Sequence, residues 1–326
     1  MTPGTVVRDA AVFDGEHPIG ITSVRFSEGR ITSVGSHARP LAGDEVIEGR
    51  GRTLMPGLID SHVHASHPGA LAQALAFGVT TVLDMFSAPA VASRLRALAA
   101  GRDDVADLRS ATSGASAPDN WLHRVSPGLP AVAGPEQAAA FVRDRVADGA
   151  DYLKVYLEDP RWHGNRGLSA ATVRALVTAA HQHGLLAVAH ADSAAMAHLF
   201  LDAGGDGLAH VLSGLRLTPA FAARMRGDGA FAVATLRATA VLSGDYAQRA
   251  EADLRALLEH PRLGPFLDPA TRRELTCPGL LAAARSGAAP SVAAGPARLR
   301  RGAAQRRGAA PGRDPGPRRD RRQLSG

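Results

Sequence analysis

The sequence predicts an α/β fold: a TIM-like (β/α)8 barrel that lacks its last strand, preceded by a small, incomplete β-sandwich. Three observations carry this expectation. From about residue 55 onward, short apolar runs alternate with helical stretches, the pattern of a parallel sheet flanked by helices. Seven such runs can be counted, one short of a closed barrel. Before them, residues 5–50 hold only short strand-like segments parted by turn residues.

The elements follow in order. Residues 6–13, 21–26 and 30–34 read as strands, separated by Asp14-Gly15 and Glu28-Gly29. The first barrel strand is the apolar run that ends at His62-Val63-His64. A short helix over 68–76 and a strong strand over 78–84 come next, then a helix over 91–100 and a weaker strand over 106–113. A Gly/Pro/Ser-rich loop, about 114–134, leads to a helix over 135–148 and a fourth strand over 152–157. The helix over 169–183 opens on a serine cap and stops at Gly184. Strands at 185–190, 207–211 and 230–235 alternate with helices at 193–203 and after Thr218. A charged helical stretch spans roughly 244–260. Three regions result: a partial sandwich over 1–54, an incomplete barrel over 55–276 and a tail over 277–326.

Composition separates the tail from the rest. Residues 281–326 carry 11 Arg, no Lys and only Asp314 and Asp320 as acids, so the formal net charge of +6 conceals a mildly acidic remainder. Ala, Gly, Pro and Arg fill 35 of those 46 positions, too few large apolar side chains to offset the entropy of ordering. Out-of-frame reading of GC-rich codons yields such a composition, and a native basic tail is the competing explanation. The tail lacks the aromatics or motif of an RNA-binding segment, so nucleic acid is not the expected partner; a small-molecule substrate is. The first residues show no signal-peptide pattern and no apolar run approaches the length of a membrane span. With Cys277 as the sole cysteine, a cytoplasmic location is expected. Self-association into a homo-oligomer is left open.

The chemistry concentrates at strand ends. Residues i and i+2 of a strand project from one face, so His62 and His64 can offer two imidazoles to one metal ion. Lys154, the chain's only lysine beside 36 arginines, ends the fourth strand. His190 and His210 end the fifth and sixth, each one βα unit further on. In a parallel barrel these positions gather at one rim. Other histidines read differently: His181, His183 and His198 lie in or beside helices and take structural roles, while His67, His123 and Tyr156 are candidates for lining the pocket. Asp60 is expected to secure the strand end.

The run Pro56-Gly57-Leu58-Ile59-Asp60-Ser61-His62-Val63-His64 resembles the first-strand signature of the amidohydrolase superfamily. Gly149-Ala150-Asp151-Tyr152-Leu153-Lys154-Val155 and Ala187-Val188-Ala189-His190-Ala191 resemble its imidazolonepropionase-like and metal-dependent dipeptidase branch. The resemblance covers about residues 5–276. It implies a binuclear centre of two divalent ions, zinc foremost, with His62 and His64 on the more buried ion. Lys154 would bridge both ions as a carbamate, and His190 and His210 would hold the second. Lys154, His190 and His210 are then the catalytic residues, and the reaction is hydrolysis of an amide, peptide or cyclic amide bond of a small molecule. Only a neutral primary amine forms a carbamate, which is why arginine could not replace this lysine. The family pattern also requires an aspartate ending an eighth strand. No such run exists here; Asp314 is the faint echo, and activity is accordingly expected to be impaired. The alternative is a non-catalytic metal-binding remnant with an anion-binding or RNA-binding tail.

Overall fold

In the computed structural model the described residues are 2–275, apart from 121, 126–127, 164–166, 211–217 and 237–246. The expected tail, with Cys277 and Asp314, lies outside them.

The N-terminal residues form one mixed sheet. Strands β1 (Thr5–Phe13), β2 (Pro18–Ser27) and β3 (Arg30–Val34) are joined by β4 (Glu45–Glu48) and β5 (Thr53–Leu54), in the order β3-β2-β1-β4 with β5 also on β1. β1 and β2 run antiparallel, while β4 and β5 lie parallel to β1. The two added strands are short and flanked by charged residues, so periodicity alone does not mark them. Of the two layers a sandwich needs, the described residues form one. Val7, Ala10, Val12 and Val24 make its small core, while Ile21 and Ile31 stand exposed.

Seven parallel strands follow in chain order. Strands β6 (Leu58–Val63), β7 (Val79–Asp84) and β8 (Asp107–Ser110) form one sheet. Strands β9 (Leu153–Leu157), β10 (Ala187–Ala191), β11 (Gly207–Leu208) and β12 (Phe231–Ala232) form another. The chain beyond β8 joins the two: Ala115 bridges Val155 in parallel, its N–H donating to Lys154 O at 2.8 Å and its carbonyl accepting from Tyr156 N at 2.8 Å. Gly57 lets the motif strand lie close to its neighbour, since a Cβ there would come 2.2 Å from the Thr80 side chain.

Helices α1 (Pro68–Ala76), α2 (Pro89–Ala100), α3 (Leu122–Val125), α4 (Ala138–Ala147), α5 (Pro160–His163), α6 (Ala170–Gln182), α7 (Ala194–Asp202) and α8 (Pro219–Gly227) connect the strands. Ser169, Ser193 and Thr218 cap α6, α7 and α8 by accepting the N–H of Thr172, Met196 and Phe221. Gly184 ends the α6 turn at a φ of +71°. Two further helices, α9 (Ala247–Glu259) and α10 (Pro269–Leu275), close the described chain.

The β9–β10 register decides what faces the site. Lys154 pairs with Val188 and Tyr156 with His190, so these four share one side of the sheet. Leu153, Val155, Leu157, Ala187 and Ala189 take the other side, in the largest core cluster with Phe141, Leu176 and Phe200. Below Lys154, Tyr152 packs with Met85, Ala111, Val188 and Ala209.

Candidate functional site

The four predicted histidines and Lys154 converge. His62 sits within β6 and His64 one residue past its end, their ring centroids 5.4 Å apart. His62 and His210 are 4.7 Å apart, and His190 and His210 are 4.8 Å apart. Strand β6 belongs to one sheet and β11 to the other, yet His62 hydrogen-bonds the Ala209 backbone. The ends of β6 and β11 are thus brought together at one rim. Lys154 lies in the wall between them, 1 % exposed, with Nζ 5.6 Å from the centre of the Tyr156 ring. Tyr156 in turn faces His190 at 5.6 Å and Phe86 at 5.8 Å.

Burial sets the charge state. Neither Lys154 Nζ nor His62 Nδ1 has a hydrogen-bond partner, although both atoms are buried. Desolvation pushes the Lys154 amine down to about 7, making its neutral form accessible near neutral pH. Burial, with Lys154 and two other histidines nearby, pushes His62 down to about 3, and it lowers His210 further still. His64 is lowered by burial and held up in part by the Phe86 carbonyl and Asp84. His62, His64 and His210 thus offer neutral imidazole lone pairs beside an uncharged or poised amine. Such atoms are metal-ligand types. Among the described residues, no three His, Cys, Asp or Glu side chains stand where they could share an ion as they are. The lysine is not in that donor class until it gains oxygens.

Sequence reading missed three members of the site. Thr235, with a φ of +40°, places its hydroxyl 2.9 Å from His210 Nδ1. Gly114 lies so close that a Cβ would come 2.9 Å from the Tyr156 ring and 3.2 Å from Lys154 Cγ. Asp84 ends β7 fully buried. The available signal for Asp84 was its place, a carboxylate closing an apolar strand as the ligand-type residues do. Thr235 and Gly114 carried none.

The other candidates have contacts of their own. Asp60 accepts the His62 N–H at 3.1 Å. His181 contacts Asp206 at 2.8 Å, and His198 packs against Phe221 and contacts Arg224 at 2.9 Å. His183 stands at the C-cap of α6, and His67 at the N-cap position of α1 without a side-chain capping bond, its Nδ1 3.9 Å from Asp268. His123 pairs with Ser116 at 3.0 Å.

Comparison with known proteins shows where this fold recurs. A Xaa-Pro dipeptidase with bound methionine in its active site superposes with a TM-score of 0.63 at 20% identity, over 82% of this chain and 73% of that one. The ochratoxinase of A. niger gives 0.60 at 19% identity, over 88% and 72%. These two structures share the fold of this chain. In sequence, urease subunit alpha 1 of Streptomyces avermitilis is 35% identical over 92 residues. That match takes in 25% of this chain, and the chain spans 16% of the urease subunit's length. No family model matches the sequence.

Proposed function

We propose that this protein is a metal-dependent amidohydrolase that cleaves a carbon–nitrogen bond (amide, peptide or cyclic amide) of a small molecule. The observation that carries the reading is Lys154: a sole lysine, buried, its amine without a hydrogen-bond partner and poised near neutrality beside the His62, His64 and His210 imidazoles. Its neutral amine can attack CO2, forming an N–C bond and releasing a proton, to leave a carbamate with two oxygens. His62 and His64 would hold one divalent ion and His190 and His210 the other, with the carbamate between them; zinc suits this imidazole and oxygen set. Two orphaned buried nitrogens, Lys154 Nζ and His62 Nδ1, support that fit. Bound there, divalent ions supply polarisation of the scissile carbonyl and a more acidic water.

This chain's own residues do the rest. Thr235 steadies the His210 ring through its Nδ1, and Tyr156 with Phe86 forms an apolar wall over Lys154 that keeps bulk water from the amine. In this reading the seven parallel strands belong to a TIM-like barrel whose last strand is not among the described residues, and the N-terminal sheet is one layer of a sandwich. No apolar run of the sequence ends in the acid–base aspartate that the superfamily pattern requires. The printed names of the structural relatives motivate a panel of Xaa-Pro dipeptides, N-acyl amino acids and cyclic amides. Zinc-loaded protein should hydrolyse at least one of these faster than His190→Ala does. Equal rates for the two proteins across the panel would overturn the activity.

A further inference from the structure

The Asp84 side chain, at the end of β7, is fully buried, and none of the chemistry above uses it. Its Oδ1 accepts the Ala65 N–H at 3.1 Å and lies 2.9 Å from Ser87 Oγ, which is also 2.9 Å from Ala65 O. Its Oδ2 accepts from Ser110 Oγ at 2.6 Å. Ser110 Oγ in turn accepts the Thr112 N–H at 2.9 Å, and Thr112 O accepts the Ser87 N–H at 3.1 Å. These bonds form a closed circuit through Asp84, Ser110, Thr112 and Ser87. It ties the ends of β7 and β8 to Ala65, the residue that follows His64.

Two features mark the circuit as built for a task beyond packing. Thr112 holds a φ of +55°, a conformation a β-branched residue adopts only when its surroundings impose it. Its hydroxyl is also buried with no partner. Strain and an unsatisfied hydroxyl are costs that the circuit must offset. The main chain adds to the lock: Met85 N–H donates to Val63 O at 2.9 Å, and Tyr152 OH donates to Asp84 O at 2.8 Å. The peptide on each side of His64 is therefore held from β7, and the His64 ring itself meets Phe86 O at 3.4 Å.

We propose that Asp84 is a positioning residue: through the Ala65 N–H and the Ser87–Ser110–Thr112 circuit it fixes the turn that aims the His64 imidazole into the site. Its importance for metal binding rests on the proposed function; its grip on His64 does not. Groups that orient ligands from behind typically contribute 10–100-fold in metal affinity.

The test compares Asp84→Asn and Ser110→Ala with wild type in the full chain, using Zn2+ affinity by chelator competition and, without metal, the His64 ring NMR signals and Ala65 amide exchange. Asp44→Asn, in the distant Arg25 pair of the N-terminal sheet, is the control. Expected are a 10–100-fold loss of Zn2+ affinity in Asp84→Asn and a smaller one in Ser110→Ala. A displaced His64 signal and faster Ala65 exchange should accompany both, with Asp44→Asn unchanged. If wild type binds no Zn2+ while Asp84→Asn still displaces His64, the metal reading falls and the positioning role stands. If Asp84→Asn is folded, keeps wild-type His64 signals and matches wild-type affinity within twofold, the proposal is overturned. Should Asp84→Asn not fold, Ser110→Ala decides by the same readouts.

Discussion

Strands β9 and β10 sit in the middle of the parallel series and β6 and β12 at its ends, and the two pairs meet the solvent differently. Every β9 and β10 residue except Tyr156 and His190 is buried, and each strand has a partner on both sides. In β6, Leu58 is 50 % and Ile59 63 % exposed, and both residues of β12 are exposed. Each end strand is paired along one edge alone among the described residues. The comparison teaches where an unpaired amine can be held. A lysine flanked by strands on both sides and helices behind is stripped of water, whereas one on β6 would reach solvent and stay charged.

The largest effect expected from this contrast is in the middle. Leu153→Ala, which removes a fully buried side chain from the main core, should cost about 2–5 kcal/mol in urea unfolding. Next comes Lys154→Met in metal-free protein. Removing a buried nitrogen without a partner should raise stability at pH 7 by about 1–3 kcal/mol, read by the same unfolding curves.

The pH dependence sharpens the point. Between about 7 and 10.5 the unfolded chain keeps a proton on Lys154 that the folded chain has lost, so wild-type stability rises with pH across this window. The advantage of Lys154→Met should shrink accordingly, and a constant difference from pH 7 to 10.5 would show that the amine is not desolvated. His62 extends the same sign of slope from about 3 to 6.5. The smallest effect belongs to the edge. Ile59→Thr should change stability by less than about 0.5 kcal/mol, because the side chain is already in water.

The same division explains how much was legible in the sequence. Long apolar runs such as Ala187–Ala191 and capped helices such as Ala170–Gln182 announce themselves through period and cap chemistry. So did His62, His64, Lys154, His190 and His210, because strand ends carry the polar residue after an apolar run. The short strands Glu45–Glu48 and Thr53–Leu54 did not, since pairing with β1 rather than their own pattern makes them strands. Thr235, Gly114 and the Asp84 circuit were silent for a related reason: each acts through a neighbour distant in sequence. Thr235 acts on His210, Gly114 on Lys154 and Tyr156, and Asp84 on Ala65.

The central claim is that the buried Lys154 amine is what makes this rim a metal centre. Metal content by elemental analysis, after loading with zinc in bicarbonate buffer, tests it most directly on wild type and Lys154→Ala. The account predicts two ions per wild-type chain and one or none in the variant. Equal metal content in the two proteins would contradict it.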